Sequence, residues 1–208
     1  DVELSDDSRE RLLIPAQDFW RQRVATNATL AQLVFDRRCT PEEMLAEIKS
    51  YTGRPYLKFR RPEGNLQEAQ AKLQETWQKV CDQLEDLEKA FWAIFPKLNG
   101  QTYRRNTFEN VFTDLKTNAE SSRLPRLSKQ TLGKLSLFSV DTLNSKLKKE
   151  YKADADAPEI IQLQALANLG RDLQAMESAE EAVFICLQLD LLSYINQSIA
   201  EQKKSRRE

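Results

Sequence analysis

Apolar residues recur along this chain at steps of three and four, the spacing that puts one face of an α-helix against a core. The clearest run is Leu66 to Phe95. Leu66, Leu73, Val80, Leu87 and Ile94 return every seven residues, and Trp77, Leu84 and Phe91 form a second seven-residue series offset from the first. Together they trace one apolar seam and predict a single helix of roughly 45 Å at about 1.5 Å per residue. Such heptads suit a coiled coil or the long helix of a bundle. A second strong element lies near the end. Val183, Phe184, Ile185, Leu187, Leu189, Leu191, Leu192, Ile195 and Ile199 leave little of its circumference polar. A helix of that kind is expected at the centre of a bundle. Ser178 with Glu181 reads as its capping box, so the pattern predicts a last helix over about 178–202, preceded by a separate helix from Pro158 to about Ser178.

Helix ends are marked by residues that satisfy or lack backbone donors. Thr40-Pro41-Glu42-Glu43 supplies a capping hydroxyl, a proline for the first helical position and a glutamate that can reach back. The helix it opens should end at Gly53. A first helical region is expected from about Ser8 to Asp36, with a break near Pro15 or near Thr26-Asn27, after a frayed acidic segment over residues 1–8. Asn106 with Glu109 reads as a capping box ahead of Phe108, Val111, Phe112 and Leu115. Residues 128–151 predict one or two helices with a cap at Ser139 or Asp141. Two-residue alternation, the strand signal, is nearly absent; Tyr56-Leu57-Lys58-Phe59-Arg60 is the best example. The expected fold is therefore all-α: an antiparallel multi-helix bundle of about six to eight helices. It is read as one domain over 1–208, with a candidate division near 96–105 into halves 1–98 and 99–208.

Composition narrows the chemistry. The chain holds 5 Gly and 7 Pro in 208 residues, which leaves room for long helices. It contains no His, the commonest general acid/base and metal ligand. Ser-His-Asp and Cys-His mechanisms are excluded, as are His-dependent zinc sites and the ExxH pairs of di-iron bundles. There is no glycine-rich phosphate loop. The three cysteines, Cys39, Cys81 and Cys186, are widely spaced and form no CxxC pair. They read as small packing residues in a reducing compartment, and the expected location is cytoplasmic. No cofactor, no metal and no enzymatic activity are expected. No stretch approaches 18 uncharged apolar residues, so no transmembrane segment is expected.

Charge supplies the candidate site. The formal net charge is -1, so no global field selects a polyanion. Locally the balance is uneven. Residues 101–150 carry ten Lys/Arg against five Asp/Glu, and residues 151–200 carry two against eight. Arg54, Lys58, Arg60 and Arg61 surround Tyr56 and Phe59, and Arg104 and Arg105 follow Tyr103. Cations interleaved with aromatics can meet phosphates and stack bases, or can meet carboxylates on another protein. Four cations within eight residues must stay solvated or find anions, because burying unpaired charge is too costly. Arg54, Lys58, Arg60, Arg61, Arg104 and Arg105 are therefore the candidate partner or phosphate contacts. The expected function is a non-catalytic protein–protein interaction or regulatory module. One alternative is a nucleic-acid-associated protein using segments 54–61 and 104–134. Another is a bundle that opens to show apolar helices to a partner or membrane.

Overall fold

The computed structural model describes residues 12–54, 56–121 and 124–205. Expectations for residues 1–8 and for a helix start at Ser8 lie outside the described residues. The protein is all-α, and the described residues contain no strand; an isolated antiparallel bridge joins Leu98 to Leu147. Tyr56–Arg60 is accordingly not a strand. The chain divides into two compact units. The first joins Asp1–Gly64 to Ser178–Glu208, and the second is Asn65–Glu177. Segment 96–105 lies inside the second unit.

In the first unit, α1 covers residues 12–19 and continues as a π-helical stretch, Trp20–Val24. The break expected near Thr26-Asn27 is present. Asn27 Oδ1 accepts from the amides of Thr29 and Leu30, both at 3.1 Å, and opens α2, Ala28–Asp36. Arg38 then takes a left-handed φ of 52°, letting the Cys39 amide donate back to the Val34 carbonyl at 2.9 Å. Thr40 makes the full capping box at the start of α3, Pro41–Ile48. Its hydroxyl accepts from the Glu43 amide at 3.2 Å, and its own amide donates to the Glu43 carboxylate at 2.8 Å. A 3-10 turn, Lys49–Tyr51, follows. The core of this unit packs Phe19, Val24, Leu33, Met44, Leu45 and Ile48 with Phe184, Leu187, Leu191 and Ile195. The last four sit at steps of three and four, one stripe of the final helix.

The second unit holds the heptad seam. All eight seam residues are buried. They belong to two helices, however: α4, Leu66–Asp82, and α5, Leu84–Ile94. The single helix expected over 66–95 is broken at Gln83, where φ -119° and ψ 8° leave the helical region and the amide reaches the Val80 carbonyl at 3.2 Å, a tighter turn. No Pro or Gly marks the spot. The rest of the unit is α6, Arg105–Ala119; α7, Lys129–Leu135; α8, Val140–Lys146; and the first part of α9, which spans Pro158–Ser205. Ser128 and Ser139 cap α7 and α8 through the amides of Thr131 and Thr142. Asn106 and Glu109 form no box. The helix starts two residues earlier than such a box requires, with Arg104 at the cap and Arg105 first, and Glu109 instead pairs with Arg105 at 2.9 Å.

The helix expected from Ser178 is continuous with the one before it. Helical backbone runs through Ser178 without an N-terminus, so there is no orphan amide for its hydroxyl to cap. The surrounding Met176-Glu177-Ser178-Ala179-Glu180-Glu181-Ala182 contains good helix formers and no breaker.

Two features hold the second unit's interior. Phe91, fully buried, lies within 4.8–6.3 Å of the rings of Trp92, Phe95, Tyr103, Phe108, Phe112 and Phe138. Tyr103, also buried, donates its hydroxyl to the Leu137 carbonyl at 2.7 Å, and burial pushes its pKa well up, so it stays a neutral donor. The second feature is close approach at Gly170. A β-carbon there would lie 2.8 Å from Leu135 Cβ. Gly to Ala in a helix interior ordinarily stabilises by about 0.5–1 kcal/mol. Here the sign should reverse: Gly170→Ala is expected to destabilise by about 1–3 kcal/mol through overpacking. A urea midpoint for Gly170→Ala at or above that of the wild type would refute the close contact.

Candidate binding surface

The basic segment of the first unit has a defined shape. Lys49 to Arg61 holds five cations and no acid. Its two ends are tied to the last helix. The Gly53 amide, at φ 72°, donates to Asn196 Oδ1 at 2.8 Å. The Arg61 guanidinium donates to Asp190 Oδ1 at 2.5 Å, and Arg23 approaches the other carboxylate oxygen at 3.8 Å. The Asp190 hydrogen bond raises the Arg61 pKa above its ordinary value. Beyond it the Cys186 thiol reaches the Pro62 carbonyl at 3.7 Å, and Gly64 lies so close to Ala182 that a β-carbon would meet it at 2.8 Å. The chain thus descends α9 from 196 through 190 and 186 to 182, antiparallel to it.

Between the first two ties it arches. Asp190 and Asn196 are about 9 Å apart along a helix axis at 1.5 Å per residue. The eight residues from Gly53 to Arg61 have a contour of about 26 Å. The excess is taken up in part by a tight turn, in which the Leu57 amide donates to the Arg54 carbonyl at 3.2 Å. Tyr51 and Phe59 close the base edge-to-face at 5.4 Å.

Side chains on the arch alternate. Leu57 is half-buried, Phe59 meets Tyr51 and Arg61 meets Asp190. Phe59 and Arg61 stay exposed despite these contacts, and Tyr56, Lys58 and Arg60 between them are exposed without any, Tyr56 by 72%. Arg54 is exposed as well, and none of Arg54, Lys58 and Arg60 has an ion-pair partner among the described residues. The two-residue alternation in the sequence therefore separates residues that contact their own unit from residues that do not.

The other candidates lie elsewhere. Arg104 and Arg105 are exposed at the start of α6, in the second unit. Arg105 is engaged: it pairs with Glu109 and lies 5.6 Å over the Trp92 ring. Compared with known proteins, the chain matches no family model, no curated protein and no solved structure.

Other chemistry on the surface is sparse. Among the described residues no group of three or more His, Cys, Asp or Glu is placed to hold a metal ion. Burial, then nearby carboxylates, raises the pKa of the Cys39 and Cys81 thiols, which disfavours the reactive thiolate. Asp172 is the one buried carboxylate among the described residues. It accepts from the Thr76 hydroxyl at 2.7 Å and pairs with Lys72 at 3.1 Å, so both oxygens are satisfied. Asp114 ties down the segment after α6. Burial alone would raise its pKa, but hydrogen bonds from Thr131 and Ser128 outweigh that and lower it. A shallow cleft of about 290 Å³ lies among Ile14, Pro15, Asp18, Tyr194, Ser198, Glu201 and Gln202. By length and composition α9 is long and apolar enough to cross a membrane. Within the first unit its Leu187, Leu191, Leu192 and Ile195 face the core and its Asp190 is ion-paired.

The ties of the arch are what sequence reasoning missed. Asp190 reads in the sequence as a polar rim beside Gln197 and Glu201. Its pairing with Arg61, 129 positions away, has no local signal. Asn196 and Ala182 carry none either.

Proposed function

We propose that this chain is a non-catalytic protein-binding module of a regulatory or adaptor kind, acting in a reducing compartment and docking a partner protein through the arch of residues 51–61. One observation carries the reading. Three exposed cations without internal partners alternate with exposed aromatics on a loop pinned at both ends. Pinning lowers the ordering cost of binding, and aromatic and arginine side chains are those that interfaces favour. The sequence chemistry supports a non-catalytic role, since a chain without His lacks the usual acid/base and nucleophile constellations. The nucleic-acid alternative combines segments 54–61 and 104–134, which belong to different units, and one of its cations, Arg105, is already paired.

The test is affinity capture from the source cell at two salt concentrations, comparing the wild type with an Arg54→Glu, Lys58→Glu, Arg60→Glu triple variant. Arg61 is kept, because reversing it would break the Asp190 tie. Each surface change is expected to alter stability by no more than about 0.5 kcal/mol. The wild type should retain a stoichiometric protein that the folded variant loses. Salt-labile nucleic acid captured in its place would overturn the proposal. So would unfolding of the variant, which would assign the three cations an internal role.

A further inference from the structure

We infer that the arch takes a short acidic segment of its partner in extended form, laid along residues 58–61, with carboxylates at Arg54, Lys58 and Arg60. This rests on the protein-binding reading and names the class of ligand. Three observations carry it. The first is backbone chemistry. Among the described residues, Lys58, Phe59, Arg60 and Arg61 make no backbone–backbone hydrogen bond. The helices satisfy their own amides and carbonyls internally, whereas this stretch presents a row of free ones at the surface. An extended peptide can pair with such a row by strand addition, gaining main-chain bonds while alternate side chains supply specificity.

The second observation is alternation. Phe59 and Arg61, though exposed, each contact their own unit, while Lys58 and Arg60 are exposed and make no such contact. A ligand strand running alongside would bring every second side chain to those cations, which calls for Asp or Glu at alternate positions. Tyr56, exposed beside them, offers a ring face to one apolar residue.

The third is the surrounding charge. Among the described residues of the first unit outside Lys49–Arg61, six Lys/Arg stand against ten Asp/Glu. A long phosphate backbone leaving the arch in either direction meets that acidic surplus, and polyanion binding needs many phosphate contacts to be strong. A peptide of a few residues with local carboxylates is confined to the basic patch and meets no such repulsion.

The experiment is selection of a random dodecapeptide display library on the wild-type chain, with counter-selection on the Arg54→Glu, Lys58→Glu, Arg60→Glu variant. The selected peptide is then synthesised with a fluorophore, both plain and N-methylated at alternate residues. Selected sequences are expected to be rich in Asp and Glu at alternate positions around an apolar residue. The plain peptide should bind the triple variant about tenfold or more weakly, as expected for three exposed charge pairs. N-methylation on the bonding edge should weaken binding by a similar factor. Selection without acidic enrichment would overturn the inference, as would indifference to N-methylation. Tighter binding of a single-stranded oligonucleotide or of phosphatidylserine vesicles than of the selected peptide would overturn it too. If the wild type still captures a protein through the three cations in any of those cases, the ligand class fails and the protein-binding reading stands. If capture fails as well, both fall.

Discussion

Replacing Phe91 with Ala is expected to cost about 3–5 kcal/mol, the range for deleting a buried ring that its surroundings cannot refill. Refilling is blocked by the neighbours themselves. Six aromatic rings from α5, α6 and the segments around Phe95, Tyr103 and Phe138 converge on Phe91. Rings are rigid and cannot flow into a void as Met does, so much of the space should stay empty. Offset and edge-on ring contacts of the kind made to Phe108 and Phe138 add about 0.5–1.5 kcal/mol beyond area. The measurement is urea unfolding followed by tryptophan fluorescence in a Trp20→Phe background. The remaining tryptophans, Trp77 and Trp92, both report on the second unit. A loss below about 1 kcal/mol would mean that the cluster is not packed as described.

Leu87→Ala is the second large effect, expected at about 2–5 kcal/mol. Leu87 lies on the heptad seam and is fully buried. A seam of this regularity can equally well line a partner groove, and the two situations separate sharply in energy. Truncation of a solvent-facing residue seldom moves stability by more than about 0.5 kcal/mol. A loss of that size would place the seam at the surface. In the structure seven of the eight seam residues pack in the core of their own unit, which is why the candidate binding surface falls on the arch.

What the sequence conveyed well was local. Thr40 and Ser139, both read as caps, each hold a helix start through an amide three residues on, and such short-range bonds need no knowledge of the fold. The seam was legible because burial imposes a period on the residues themselves. The failures are equally instructive. The turn at Gln83 interrupts a run with no Pro or Gly, so no residue type announces it. Ser178 and Glu181 have the spacing of a capping box, but spacing alone does not make a helix start, and helix formers on both sides carry the backbone through. The six candidate cations were visible as composition. Their sorting into tied Arg61, engaged Arg105 and exposed Arg54, Lys58, Arg60 and Arg104 depends on acids and rings that only folding brings near.

The first unit is assembled from two stretches of chain with the whole of the second unit between them. During synthesis this imposes an order. Residues 65–177 contain every segment of their own core and can pack once they have emerged. Residues 12–64 emerge earlier, but Phe184, Leu187, Leu191 and Ile195, against which they pack, are made last. Until then the arch has neither Asn196 nor Asp190 to hold it. The earliest-made part of the described chain is thus the last to complete its core, and the two ties of the proposed binding surface form only after translation has passed Asn196.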